Sequence, residues 1–288
     1  MKAYLEIVKK IILQGYRKTN RTGHDAVSIA GIMFEHNMEE GFPLLTTKKI
    51  PFRLVASELE FFIKGFTDKK WLQDNNNHIW DEWCSGDIVP YKNDEETKFK
   101  MLKERELGPV YGWQWRNFGA DYNAYNEEHE GKGTDQLKIA VDTLKNDPDS
   151  RRIIVSAWNP RDLPRMALPP CHYSFQLTVI NGKLNLLWNQ RSVDVALGLP
   201  FNIASYGCLL HLLAKETGLG EGRLVGFLGD THIYVNHIDA VKEQIARETR
   251  PLPKIKTEPF SSIFEWKYND SCLEDYNPHP VIKFDIAV

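Results

Sequence analysis

The sequence predicts an α+β fold in one domain. Helix-period and strand-period segments are mixed along the chain without regular βαβ alternation. A chain of 288 residues, 42% hydrophobic and 26% charged, is long enough to bury a sizeable core. No internal repeat is visible, and the two strongly polar stretches, 85–106 and 121–133, read as exposed loops or insertions rather than interdomain linkers. Residues 1–288 are therefore expected to form a single domain.

The elements follow in order. Tyr4 to Gln14 has Leu5, Val8, Ile11 and Ile12 on one helical face, with Gly15 as its stop. A β-type segment spans Ala26 to His36. Pro51 opens a second helix, Phe52 to Lys64, closed by Gly65, and its Leu59, Phe62 and Ile63 suit a buried face. Glu58 and Glu60 are anomalies in that helix. Thr134 is placed to cap a helix carrying Leu137, Ile139, Ala140 and Leu144, which ends before Asp147-Pro148. The middle of the chain is β-rich: Arg152 to Trp158, Cys171 to Ile180, and Lys183 to Arg191. Asn181-Gly182, the dipeptide favoured in a type I′ hairpin, joins the last two. From Phe201 the period becomes helical up to Gly218, and a last helix is expected at about His237 to Arg247.

Several function classes are disfavoured at this level. No apolar run approaches the ~20 residues that span a bilayer, and Glu6, Lys9 and Lys10 interrupt the N-terminus where a signal peptide is apolar. A soluble, cytoplasmic protein is expected. Cys84, Cys171, Cys208 and Cys272 are scattered, with no CxxC pair and no histidine cluster at zinc-ligand spacing, so neither a disulfide framework nor a metal site is expected. A net charge of −3 argues against a dedicated nucleic-acid surface, although a local basic pocket for a small anion is invisible in that total.

Five clusters stand out chemically. In Leu168-Pro-Pro-Cys-His-Tyr-Ser-Phe175, two prolines fix φ and hold Cys171 rigidly at the start of a strand, which suits either core packing or a nucleophile. The others are NRTG (Asn20 to Gly23), DSRR (Asp149 to Arg152), NQRSVD (Asn189 to Asp194) and GLPFNIASY (Gly198 to Tyr206). Three contain arginine, and several guanidinium forks beside Ser192 would match a phosphate dianion. Asn202 reads most simply as an N-cap, while its amide also offers one donor and one acceptor to a heterocycle edge.

These motifs, with GFPLLTTKK (Gly41 to Lys49), HIWDEW (His78 to Trp83), LGPVYGWQWR (Leu107 to Arg116), GDTHIYVNH, RPLPK and the C-terminal HPVIKFDIAV, occur in the order of the thymidylate synthase family, which the chain resembles throughout. The resemblance implies a central mixed β-sheet packed by helices, with a sheet face at a homodimer interface. It implies a methyltransferase that converts dUMP to dTMP with 5,10-methylenetetrahydrofolate as co-substrate and leaves dihydrofolate. Cys171 would add to C6 of the uracil ring, making C5 the nucleophile that attacks the folate methylene. Glu58 and Tyr111 would assist proton movements, and Arg191 would supply the positive environment a thiolate needs. By strand alternation His172 faces away from Cys171, which makes it a poor candidate for a direct general base.

The other roles implied by the resemblance are as follows. Arg21, Arg191 and Ser192 resemble phosphate ligands of one subunit, and Arg151 and Arg152 the pair donated by its partner. Asn202 would read the uracil N3 and O4 edge, while His232 and Tyr234 would hold the deoxyribose 3′ hydroxyl. Ile79, Trp80, Trp83, Leu168, Gly198, Phe201, Ala287 and Val288 resemble the folate pocket, Asp194 is placed beside both nucleotide and folate, and Lys48 is expected near the folate's glutamate tail. Asn189, Glu60, Pro51 and His24-Asp25-Ala26 depart from the family pattern, and Pro51 puts polyglutamate contacts in doubt.

Four other readings compete. In a nucleotide hydroxymethylase of the same superfamily, water rather than hydride captures the exocyclic methylene; Trp80 and the apolar tail argue against it. A cytosine-nucleotide enzyme is disfavoured by Asn202, since aspartate suits that edge. A Cys-His hydrolase using Cys171 would be separated by assay with simple acyl substrates. An RNA-binding regulator is disfavoured by the acidic balance and the lack of aromatic-basic motifs.

Overall fold

The computed structural model describes residues 1–19, 24–83, 95–127 and 131–284. Helix α1, Lys2–Gln14, buries Tyr4, Leu5, Ile7, Val8 and Ile11 and ends where the Gly15 N–H bonds Ile11 O. Strands β1, Tyr16–Lys18, and β2, Ala26–Asn37, follow. Helix α2, Phe52–Ile63, starts after Pro51 as expected, and Gly65 just beyond it has φ of +74°. Three further helices come next: α3, Lys69–Asp74; α4, Glu95–Lys103, which lies within the polar stretch 85–106; and α5, Tyr111–Asn117.

Helix α6, Gln136–Asn146, is capped by Asp135, which accepts the Lys138 N–H, and not by Thr134. Thr134 is held in an extended bridge with Phe118, exchanging both backbone bonds, so the cap falls one residue later. Strand β3, Ile154–Ser156, is shorter than the β-rich pattern suggested. Strands β4, His172–Ile180, and β5, Lys183–Asp194, form the expected hairpin, with positive φ at both Asn181 (52°) and Gly182 (71°). Helix α7, Gly198–Thr217, begins three residues before Phe201 and ends at Gly218 in the left-handed region. Strand β6, Gly220–Tyr234, helix α8, Ile238–Ala246, and the small hairpin of β7, Lys254–Thr257, with β8, Ser271–Glu274, complete the described chain.

The main sheet runs β1-β2-β6-β5-β4-β3 and is mixed: β5 and β6 are parallel, and the other neighbours are antiparallel. Its inner face carries Phe34, Phe175, Leu177, Leu186, Trp188, Leu224 and Leu228, which pack in one cluster with α1, α2 and α7. Helix α7 is apolar nearly all round because sheet and helices enclose it, which is the composition such a position requires. Tyr206 on α7 stacks on Trp188 of β5 with centroids 5.3 Å apart, and only glycine at 226 leaves room for that indole, since a Cβ there would meet it at 2.4 Å. The outer face is different. Met33, Phe227 and Ile154 are 59%, 44% and 54% exposed on it, in register as Met33↔Phe227 and Ile154↔Gln176. The small C-terminal hairpin is tied in by polar contacts, and Glu60 explains its odd position here: its carboxylate accepts the Tyr268 N–H at 2.7 Å. Among the described residues no helix is long and apolar enough to cross a membrane.

Candidate active site

A cavity of about 480 Å³ opens where the C-terminal ends of β5 and β6 meet the start of α7, walled on the other side by α2 and residues 79–83. Carboxyl ends of parallel strands are where an α/β layer leaves a crevice, because the chain departs in opposite directions there.

One wall holds Glu58, Ile79, Trp80, Trp83 and Leu168, the last four mainly apolar. The Trp80 indole donates to Glu58 Oε1 at 2.7 Å. Burial pushes the Glu58 carboxyl up to about 7, and the Trp80 bond offsets only part of that rise. The carboxyl can therefore hold or release a proton near neutral pH, as a general acid or base must.

Tyr111 opens α5 with its ring between Phe62 and His172, centroids 4.8 and 4.4 Å away, and its hydroxyl accepts the Cys171 N–H at 2.8 Å. Burial, then the neighbouring Cys171, raises its pKa well above the ordinary phenol value, so it remains a proton donor. Arg191 fixes the approach to Cys171: its Nε donates to Pro170 O at 2.9 Å, its Nη2 to Pro169 O at 2.8 Å, and its backbone N–H to Cys171 O at 2.8 Å. The two prolines thus present carbonyls that one guanidinium clamps beside the thiol.

His172 borders the cavity with Cys171 and lies on the buried side of β4 with Phe175, because the bulge between His172 and Ser174 shifts the parity of the residues that follow it. Its Nδ1 is nevertheless 2.9 Å from the Tyr206 hydroxyl, and burial pulls its pKa down to about 3. It is a neutral ring held by aromatic neighbours.

Asn202 also departs from expectation. Because α7 begins at Gly198, it lies inside the helix and is not its N-cap. Its amide is oriented through a chain of bonds. The Trp188 indole, a donor only, lies 3.1 Å from Gln190 Oε1, which places the Gln190 amide group toward Asn202 Oδ1 at 2.9 Å. Asn202 therefore keeps its Nδ2 donors and one carbonyl lone pair for a bound ring. Sequence reading missed Gln190; the available signal was a polar residue sharing the inward parity of Leu186 and Trp188.

The cavity also takes in Arg191, Ser192, Asp194, Gly198, Phe201, His232 and Tyr234, as the sequence predicted, together with Lys18, Ala26, Ser28, Leu197 and Asp230, which it did not single out. Asp194 Oδ1 accepts the Ala196 and Leu197 N–H groups at 2.9 and 3.1 Å and so shapes the turn into α7. Lys48 lies outside the cavity: its ammonium is buried on Ala196 O at 2.5 Å and over the Phe284 ring at 4.3 Å, and burial brings its pKa down to about 8. Arg151 and Arg152 are exposed ahead of β3, outside the cavity lining. Arg21, Ala287 and Val288 lie outside the described residues. Among those described, no group of three or more His, Cys, Asp or Glu side chains is placed to hold a metal.

The arrangement offers a clamped thiol, a carboxyl poised near neutrality and an oriented amide around one cavity with an apolar wall. Comparison with known proteins points the same way. The family model for thymidylate synthase matches residues 2–288. The chain is 46% identical over 286 residues to the thymidylate synthase of Homo sapiens, across 99% of this chain and 90% of that protein. It is also 46% identical over 285 residues to the bifunctional dihydrofolate reductase-thymidylate synthase of Paramecium tetraurelia, across 99% of this chain and 61% of that longer protein.

Proposed function

Because the chain belongs to the thymidylate synthase family and catalyses the reductive methylation of dUMP to dTMP with 5,10-methylenetetrahydrofolate, we propose that Cys171, Glu58, Tyr111, Arg191 and Asn202 form its catalytic centre. The observation that carries this reading is their convergence on one cavity from α2, α5, the approach to β4, β5 and α7.

The Cys171 thiolate adds to C6 of the uracil ring: a sulfur lone pair forms the C–S bond, the C5=C6 π bond breaks, and its electron pair moves to C5 and O4. Arg191, anchored on Pro169 and Pro170, lowers the cost of the thiolate by its charge. The Asn202 amide donates to O4 and accepts from N3–H, which holds the ring and stabilises the charge gathering on O4. Tyr111, already accepting the Cys171 N–H, keeps its own proton to relay toward the base, and Glu58 exchanges a proton with the opposite side of the cavity. The co-substrate supplies the one-carbon unit and the hydride. Ile79, Trp80, Trp83, Leu168 and Phe201 fit a flat heterocycle and exclude water from that half of the cavity. Arg191 and Ser192, with Arg21, receive the phosphate, while His232 and Tyr234 receive the 3′ hydroxyl.

The same reading makes the protein a homodimer in which Arg151 and Arg152 complete the partner's phosphate site. The exposed Met33, Phe227 and Ile154 on the outer sheet face support it, since an apolar sheet face of this kind suits burial against a second copy. A cytoplasmic setting belongs to this reading, supported by scattered cysteines without a framework.

Dihydrofolate formation followed by absorbance, with and without dUMP, tests the assignment. It should require dUMP and disappear when Cys171 is replaced; dTMP formation that persists without the thiol would overturn it.

A further inference from the structure

Asp230 and Lys18 border the cavity but have no part in the chemistry above. β1 ends in Lys18, which pairs with Ala26 on β2, and Ala26 pairs on its other side with Tyr234 of β6. From there the Lys18 ammonium reaches Asp230 Oδ2 at 2.5 Å. Asp230 in turn meets His232, two residues along the same strand. His232 Nδ1 is 3.2 Å from the Asp230 backbone oxygen and 3.4 Å from its Oδ1. Both atoms are acceptors only, so Nδ1 carries a proton, and in the neutral ring the lone pair is then on Nε2. Oδ1 is shielded from solvent and has no hydrogen-bond partner, so its charge acts on that imidazole N–H. His232 itself is 8% exposed, with its ring edge-on to Tyr234 at 5.2 Å, which leaves it little freedom to turn.

We infer that Asp230, paired with Lys18, is a positioning residue that locks His232 in the Nδ1–H tautomer, so that the site reads the nucleotide's 3′ position as a hydrogen-bond donor. This rests on the reading that His232 and Tyr234 receive the 3′ hydroxyl. A 3′ hydroxyl can donate to Nε2; a 3′ fluorine cannot, although it is of similar size. A 3′ phosphate would meet the Asp230 charge with Lys18 already engaged, so nucleoside 3′,5′-bisphosphates are rejected. Burial alone would raise the Asp230 pKa, but Lys18 and His232 together outweigh it and hold the carboxyl below its usual range, which keeps the charge in place at neutral pH.

Calorimetric titration of the full chain with dUMP and with 3′-fluoro-2′,3′-dideoxyuridine 5′-monophosphate tests this. Wild type should prefer dUMP by about tenfold, the equivalent of one good hydrogen bond. Asp230→Ala should cut that preference to about twofold while binding the fluoro analogue as wild type does. Equal weakening of both ligands would show a merely structural role and overturn the inference. If wild type binds the two alike, the assignment of His232 and Tyr234 to the 3′ hydroxyl fails, and the inference falls with it. A second measurement needs no Asp230 variant: in protein labelled with 15N-histidine, the His232 resonances, identified by their loss in His232→Gln, should report a protonated Nδ1. An Nε2–H tautomer would overturn the inference.

Discussion

The indole Nε1 of Trp80 lies 2.7 Å from Oε1 of Glu58, so the carboxyl that burial turns into a weak acid is held by a donor that favours its charged form. The two residues stand 22 positions apart, on α2 and in the turn over 79–83. Their opposition sets the protonation of Glu58 near neutrality, where one group can both take and give a proton.

Trp80→Phe removes that donor while keeping an apolar ring. The Glu58 pKa should rise further, and the limb of the kcat-against-pH profile that reports it should move to higher pH. An unmoved limb would mean that the profile reports another group.

Glu58 also predicts a stability change. Its folded pKa of about 7 exceeds the ordinary value of 4.5, so the folded state holds the proton more tightly than the unfolded chain does. The site is least costly below 4.5, and stability is lost as pH rises from there through about 7. Glu58→Gln, neutral at every pH, should therefore stabilise the protein by roughly 1–3 kcal/mol at pH 8 and far less at pH 5, with activity lost at both. Urea unfolding at the two pH values checks this.

Cys171→Ala should abolish dTMP formation while dUMP affinity stays within about threefold, because phosphate, base and sugar contacts do not use the thiol. Equilibrium binding beside turnover separates the two effects. Substantial residual turnover would remove Cys171 from the nucleophile role.

If Arg151 and Arg152 act across a dimer, each inactive variant can supply what the other lacks. Mixing Arg152→Ala chains with Cys171→Ala chains should restore up to about one quarter of wild-type activity, since about half the dimers are mixed and each has one intact site. No recovery after verified subunit exchange would contradict a shared site.

Asn202→Asp should lower the preference for dUMP over dCMP by at least about tenfold, because a carboxylate loses the donor to O4 and suits the amino edge of cytosine. Asn202 does not cap α7, so its melting temperature should change little. Paired binding titrations and a thermal melt decide between altered reading of the base and a damaged helix.

Much of the fold was legible because local rules and tertiary packing agreed. Pro51 and Gly65 bracket α2, Asn181-Gly182 makes the β4–β5 turn, and Gly218 ends α7 in the left-handed region. Expectation failed where a long-range partner overrode a local signal. Phe118 draws Thr134 into a bridge and moves the cap of α6 to Asp135. The bulge in β4 puts His172 on the buried side with Phe175, three residues away, where strict alternation would turn it outward.

The sequence by itself determined α1, α2, α7 and the β4–β5 hairpin, the family and the candidate nucleophile, because prolines, glycines and hydrophobic period act over a few residues and the motifs are long. Only the tertiary structure decided what the polar side chains do. Gln190 orients Asn202, Asp230 holds His232, and Glu60 takes a backbone N–H from Tyr268, 208 residues away. A hydrogen bond depends on where its partner lies in space and a pKa on how much water remains, and neither is written in the spacing of residues along a chain.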